Sequence, residues 1–204
     1  MAKLDHLMYA VPDLELGMQQ IFDLTGVEPV LGGSHPDGGT RNALLSFGEG
    51  QYLEIIAPDP KQDLAGTTGE LLAQHPESGI RAWAVSTGDF MAVRQAAAAM
   101  QVASRDIINM ARTAPDGVEL AWQLLFLNDA QWPFFIDWQE SPHPSAAAPM
   151  GCSLVEFVVS TPVPEEYRAL MQGLHIDVEV VAGEVGFAAI LQTPKGLITL
   201  PSWH

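Results

Sequence analysis

Two polar residues stand inside runs that are otherwise apolar. His6, beside Asp5, interrupts residues 4–11, and Glu54 interrupts residues 52–56. Each run reads as a β-strand, so both side chains belong to a sheet. A neutral imidazole and a carboxylate brought together suit a divalent metal such as zinc, iron, manganese or nickel, with positions left open for substrate oxygens. The same two residues also fit a plainer role, as a hydrogen-bonded core histidine and a carboxylate at a sheet rim. A second group, His35, Thr40, Arg41 and Asn42, surrounds the glycine-rich connection 32–39. Folded over a pocket mouth, that loop would offer His35 as a general base and Arg41 as a grip on a carboxylate. His35-Pro36-Asp37-Gly38 also reads simply as a turn. Trp83, Trp122, Trp132, Phe134, Phe135 and Trp138 concentrate aromatic surface in one stretch. Most of these rings are core, and one or two can line an apolar substrate pocket. Cys152 has no His or Lys nearby in sequence and reads as an inert thiol. The sequence holds no phosphate loop, no paired Cys-x-x-Cys and no nucleophile elbow.

The elements that must position these residues recur. Strand 4–11 is stopped by Pro12-Asp13, after which Leu14, Met18, Ile21 and Phe22 follow helical spacing up to Gly26. Strands 27–31, 42–47 and 52–56 come next, the last two joined by Gly48-Glu49-Gly50. The order is strand, helix, strand, strand, strand. It repeats as strand 81–87, a helix capped at Gly88-Asp89, and strands 106–110, 118–127 and 134–138, with a turn at Pro115-Asp116-Gly117. Asp89 lies 76 residues beyond Asp13. After a Pro/Ala/Ser-rich stretch, 141–149, a third copy is predicted, with strand 154–160, a helix opening at Thr161-Pro162, and strands 176–181, 186–191 and 197–200. Several strands are apolar on both parities, so both sheet faces need shelter. Two units side by side can curl into an open barrel around a concave pocket.

Composition narrows the function classes. With 48% hydrophobic and 17% charged residues in 204, disorder is excluded and a sizeable core is expected. Nine basic against 25 acidic residues give a net charge of −16. Such a surface repels phosphate backbones and anionic lipid, so neither nucleic acid nor membrane is an expected partner. No apolar stretch approaches the ~20 residues of a spanning helix. A start without a signal-peptide pattern and a single cysteine point to a reducing, cytoplasmic setting.

Leu4-Asp5-His6-Leu7, Gly33-Ser34-His35, the stretch from Gly39 to Leu45, Tyr52-Leu53-Glu54-Ile55-Ile56 and Trp132-Pro133-Phe134-Phe135-Ile136-Asp137-Trp138 occur in an order that covers most of residues 4–138. Together they resemble the glyoxalase-like domain proteins of the vicinal-oxygen-chelate superfamily. The resemblance implies an α+β fold of repeated βαβββ modules forming an open, barrel-like sheet around a cavity, which often holds a divalent metal. Its ligands would be a His on the first strand and a Glu on the fourth strand of one module, with two equivalents from the partner module. That assigns His6 and Glu54. In the second module Ala82 falls on His6, and Asp137 is the best match for Glu54, which makes His6, Glu54 and Asp137 the expected metal set. Asp137 can also be a pocket hydrogen-bond acceptor or face solvent. Glu156 of the third copy falls on His6 and is either a ligand or an ion-pair partner of Arg168 or Arg41. The expected organisation is a domain over 1–140, with modules 1–60 and 78–140, and a third unit over 150–204 on the same core or at a homodimer interface. The implied function is a small-molecule enzyme of lyase, isomerase or dioxygenase type, without a nucleotide cofactor. It would polarise a substrate oxygen or move a proton beside a carbonyl, with His35 and Glu54 catalytic and Thr40, Arg41, Asn42, Phe135 and Trp138 contacting substrate. The alternative is a binding protein of the bleomycin-resistance type that sequesters its ligand.

Overall fold

Asp13 and Asp89 each cap a helix, accepting at 2.9 Å from the backbone N–H of Leu16 and Ala92. These caps mark the same point in two units of the computed structural model, which describes residues 2–113 and 117–204. The expected turn at Pro115-Asp116 lies outside the described residues. The first unit runs β1 (Lys3–Ala10), α1 (Leu14–Thr25), β2 (Val30–His35), β3 (Thr40–Gly48) and β4 (Gln51–Pro58). A short helix, α2 (Thr68–Ala73), leads to the second unit: β5 (Gly79–Ser86), α3 (Phe90–Ala99), β6 (Ile108–Thr113), β7 (Glu119–Leu125) and β8 (Phe134–Asp137). The region expected as a loop, 32–39, is half strand. Gly33, at φ 137°, sits where the pairing register shifts, so the glycines bend β2 as a bulge and His35 still pairs with Thr40.

The eight strands of these units form one sheet in the order β2-β3-β4-β1-β5-β8-β7-β6. β1 pairs parallel with β4 and β5 parallel with β8, while β1 and β5 meet antiparallel at the centre. At that seam His6 pairs with Ala84 and Met8 with Ala82. The 76-residue offset exchanges these two pairs, so the units are related by an approximate two-fold axis through the seam. The sheet curls until it is nearly closed, and Arg112 of β6 donates a hydrogen bond to the Gly32 carbonyl of β2 across the gap. Alternation then sorts the side chains. Tyr52, Glu54 and Ile56 face into the barrel, whereas Leu53, Ile55 and Ala57 pack outward in the main core.

The third unit departs from the expected copy. It has the predicted element order, β9 (Ser153–Thr161), α4 (Pro164–Gly173), β10 (Glu179–Ala182), β11 (Gly186–Thr193) and β12 (Gly196–Leu200), but forms a separate sheet ordered β10-β9-β11-β12. Its first strand pairs in parallel with the strand right after the helix, not with the last. Element order is local, whereas pairing is decided by what each strand can cover. This sheet covers the outer side of the barrel: Phe157 and Val159 share one apolar cluster with Leu7, Leu53 and Trp83. Trp83 donates its indole N–H to the Tyr167 hydroxyl at 3.2 Å, and Tyr167 donates to the Gln131 carbonyl at 3.1 Å. Tyr167→Phe leaves the buried Trp83 N–H without its acceptor. The expected cost is about 1–2 kcal/mol, read as a lower denaturation midpoint with an unchanged m-value. No described helix is long and apolar enough to cross a membrane.

Candidate functional site

Every strand of the first unit sends polar side chains into the barrel, among them His6 from β1, His35 from β2, Asn42 from β3 and Glu54 from β4. They line one wall of a cavity of about 260 Å³, facing Met110, Trp122, Phe134 and Ile136 of the second unit. The four are linked. Asn42 donates to Glu54 Oε1 at 2.6 Å, and its amide nitrogen lies 3.2 Å from His35 Nε2. His35 Nδ1 lies 2.9 Å from the Thr40 hydroxyl. With Asn42 donating to Nε2, the proton of His35 sits on Nδ1 and points at Thr40. Burial lowers the His35 pKa. Glu54 pulls it back up, while Arg112 and His6 press it further down. A neutral imidazole follows, and its nitrogen-15 shifts should show the Nδ1–H tautomer persisting below pH 6.5, the ordinary midpoint. Gly32 matters here because a methyl group at that position would overlap the Asn42 side-chain oxygen. Gly32→Ala therefore displaces Asn42, and a loss of roughly tenfold in ligand affinity or turnover is expected with the fold retained.

A second network stands behind the first. Asp5 is fully buried and accepts from His6 Nδ1 at 2.7 Å, from His143 Nε2 at 3.0 Å and from Trp138 Nε1 at 3.1 Å. Burial opposes its ionisation, but the hydrogen bonds and charges of His143 and His6 outweigh this and hold Asp5 well below the usual carboxylate range. An ionised Asp5 fixes the proton of His6 on Nδ1 and aims Nε2 into the cavity, 3.6 Å from Glu54 Oε2. Tyr52 stacks on the His6 ring at 4.6 Å and Phe134 meets it edge-on at 5.4 Å. The wall thus presents His6 Nε2 and Glu54 Oε2 side by side, both open to the cavity.

The structure brings His6, His35, Thr40, Asn42, Glu54 and Trp138 to this cavity, and other expected residues lie elsewhere. Arg41 points out of the barrel and forms a two-pronged ion pair with Glu15 of α1, at 2.8 and 2.6 Å. Phe135 is fully buried in the outer core, because strand alternation gives the cavity to Phe134 and Ile136. Asp137 has that same outward parity; its carboxylate accepts the Gln139 N–H at 2.8 Å and does not reach His6 or Glu54. Register identifies the true counterpart. Met8, the strand neighbour of Glu54, corresponds to Ala84, and Ala84 pairs with Phe134. Glu156 lies on the small sheet beside Glu179, whose carboxylate pushes its pKa up. It forms no ion pair with either expected partner: Arg168 binds Glu165 and the Val180 carbonyl, and Arg41 binds Glu15. Sequence reasoning missed Arg112, which alternates with Ile108 and Met110 on the cavity face of β6, because the strand was ended at residue 110. It also missed His143, which sits in the Pro/Ala/Ser-rich stretch with no local signal of a role. A second hollow, of about 480 Å³, shares Arg112 and is otherwise lined mostly by apolar groups such as Leu31, Leu120 and Ala147.

A metal shared between modules needs donors from both. His6, with Nδ1 held by Asp5, and Glu54 suit the first half of such a site. The second half is Ala82 and Phe134, which offer no donor atom, and among the described residues no three His, Cys, Asp or Glu side chains form a ligating cluster. The four-donor site implied by the resemblance does not form from these residues.

Paired βαβββ units curled around a polar-walled cavity define a small-molecule barrel. The model of the glyoxalase-like domain family matches residues 4–175, and the chain belongs to that family. No curated protein matches the chain. A crystal structure of a hypothetical protein from Staphylococcus aureus aligns over 100% of this chain and 89% of its own, at 19% identity and a TM-score of 0.67. That likeness extends the shared fold to the third unit. Methylmalonyl-CoA epimerase from Mycobacterium tuberculosis aligns over 70% of this chain and 91% of its own, at 23% identity and a TM-score of 0.48.

Proposed function

We propose that the protein is a small-molecule enzyme of isomerase or lyase type in which Glu54 takes a proton from a carbon beside a substrate carbonyl. The observation that supports this most is the pair His6 Nε2 and Glu54 Oε2, 3.6 Å apart on the cavity wall, each oriented by its own buried partner. Asn42 occupies Glu54 Oε1, which leaves Oε2 for the proton. When the C–H bond breaks, its electron pair moves onto the carbonyl oxygen and the proton passes to Glu54. The guanidinium of Arg112, on the facing wall, supplies positive charge for the developing enolate. Returning the proton to the same or the neighbouring carbon completes an isomerisation, and expelling a β-substituent completes an elimination. His6 Nε2 stands where it can share the proton while the substrate rearranges.

The test is solvent exchange. A panel of short 2-oxo and 2-hydroxy acids and their thioesters is incubated with the protein in deuterium oxide, and loss of the proton signal beside the carbonyl is followed by NMR. Exchange catalysed by the wild type and absent from Glu54→Gln supports the reading; equal exchange by both sinks it. The apolar lining from the second unit, such as Met110, Phe134 and Ile136, is the observation that favours the sequestering alternative, for which tight binding without exchange is the signature. A homodimer remains part of the proposal, and a monomer in light scattering would remove it.

A further inference from the structure

The central seam of the sheet carries two bulges of opposite charge. On β1 the partner changes from Val85 to Ala84 between Leu4 and His6, so Asp5 is the extra residue. On β5 the partner of Met8 is Ala82 and that of Tyr9 is Ile80, so Arg81 is the extra residue. The two positions are 76 residues apart and correspond under the two-fold relation. A bulge leaves its extra residue out of the ladder and re-aims the side chain, a device common beside active sites. In the first unit the residue so placed is short, buried and closed off by His6, His143 and Trp138. In the second it is an arginine that lines the cavity.

Arg81 is half-buried, and among the described residues no carboxylate pairs with it. Its partner is the ring of Trp203, 5.6 Å from the guanidinium carbon. That ring is held by backbone pairing: Ile80 N–H donates to the Pro201 carbonyl at 2.8 Å and Trp203 N–H to the Ile80 carbonyl at 3.0 Å. The approach is possible because residue 79 is glycine; a methyl group there would collide with the backbone of Ser202 and Trp203. Burial lowers the Arg81 pKa, which is the mark of a charge partly stripped of water. A chain with 25 acidic residues has ample means to neutralise such a cation, yet none among the described residues forms an ion pair with it.

We infer that Arg81 is the anion anchor of this cavity and binds the carboxylate of a short organic acid whose reacting carbon lies against Glu54. This rests on the proton-transfer reading of the same cavity and adds the class of substrate. The row Ala82, Met8, Glu54 crosses three adjacent strands, so Glu54 and Ala82, the chain neighbour of Arg81, stand about 10 Å apart at the backbone. Once both side chains reach inward, the space between them fits an acid of a few carbons. Met8 of β1 lies between them, and Phe134 and Ile136 of β8, beyond β5, line the same cavity; all three suit an alkyl or aryl segment. A planar guanidinium steadied by an indole offers two parallel N–H donors to a carboxylate.

The experiment compares 3-phenylpropanoate with 3-phenylpropanamide, nearly isosteric and differing in charge, by isothermal calorimetry. The wild type should bind the carboxylate at least about tenfold more tightly, and Arg81→Met should abolish that preference. Arg81→Lys, which keeps the charge without the fork, should retain part of it. Equal binding of the two probes by the wild type, or binding of neither at about 10 mM, overturns the proposal without reference to any variant. So does a full preference in a folded Arg81→Met. Glu54→Gln separates the two readings. A retained preference with lost exchange supports both. An Arg81-dependent preference in a wild type that catalyses no exchange leaves the anchor standing and removes the proton-transfer reading.

Discussion

Glu54→Gln is expected to lower catalysed proton exchange by about 10³-fold while leaving ligand affinity within a few-fold of the wild type. The substitution removes the ionisable oxygen and little else. The Gln carbonyl can still accept the Asn42 amide proton now donated at 2.6 Å, so the side chain keeps its place on β4. His6 Nε2, held from behind by Asp5, also keeps its place. What is lost is the acceptor at Oε2. Single-turnover exchange measurements beside calorimetric affinity separate this outcome from general damage, because a collapsed site would lose both. A variant that exchanged at the wild-type rate would show that the carboxylate is structural.

Asp5→Asn should destabilise the protein by about 3 kcal/mol at neutral pH, because it removes one charge from a buried network and leaves three donors competing for a neutral amide oxygen. For a chain of this size that is a fall in Tm of roughly 6–12 °C. The pH dependence gives a sharper check. The folded pKa of Asp5 lies below its ordinary value, held there against the cost of burial by the hydrogen bonds from His143 and His6. A depressed carboxylate contributes stability that is fully present above the unfolded pKa, near 4, and is lost as pH falls through the folded value. The gap between wild type and variant should therefore be constant from pH 5 to 8 and shrink below about pH 4. A gap independent of pH down to acid unfolding would show that the Asp5 charge does not carry the effect. His6 reorientation in the variant is a second readout, visible in its imidazole nitrogen shifts.

The candidate site was legible where chemistry and strand parity coincide in one stretch. His6, Glu54 and Asn42 each lie inside or beside a strongly apolar strand, and an alternating pattern sends each to the cavity. Asp137 and Phe135 failed for a related reason. Resemblance aligned Asp137 with Glu54, but the observed register matches Glu54 to Phe134, and three residues along a strand reverse the face. Arg41 was assigned to the pocket by type and position, yet on β3 it alternates with Asn42 and so meets Glu15 outside. Asp5 and Arg81 each precede a strand residue of the seam, and their roles come from bulges that show only in the pairing.

Strand, helix, strand, strand, strand, three times over, together with the caps at Asp13 and Asp89, was determined by the sequence itself, since caps, turns and hydrophobic periods act over a few residues. Tertiary structure alone decided that two of these units share a seam with two-fold symmetry while the third rearranges its strands and covers the outside of the barrel. It decided as well that the histidines, the amide and the carboxylate of the cavity come from one unit, while the other supplies apolar side chains and the two arginines Arg81 and Arg112. Pairing partners and register are non-local choices, settled by which faces can be buried together, and no short stretch of chain encodes that answer.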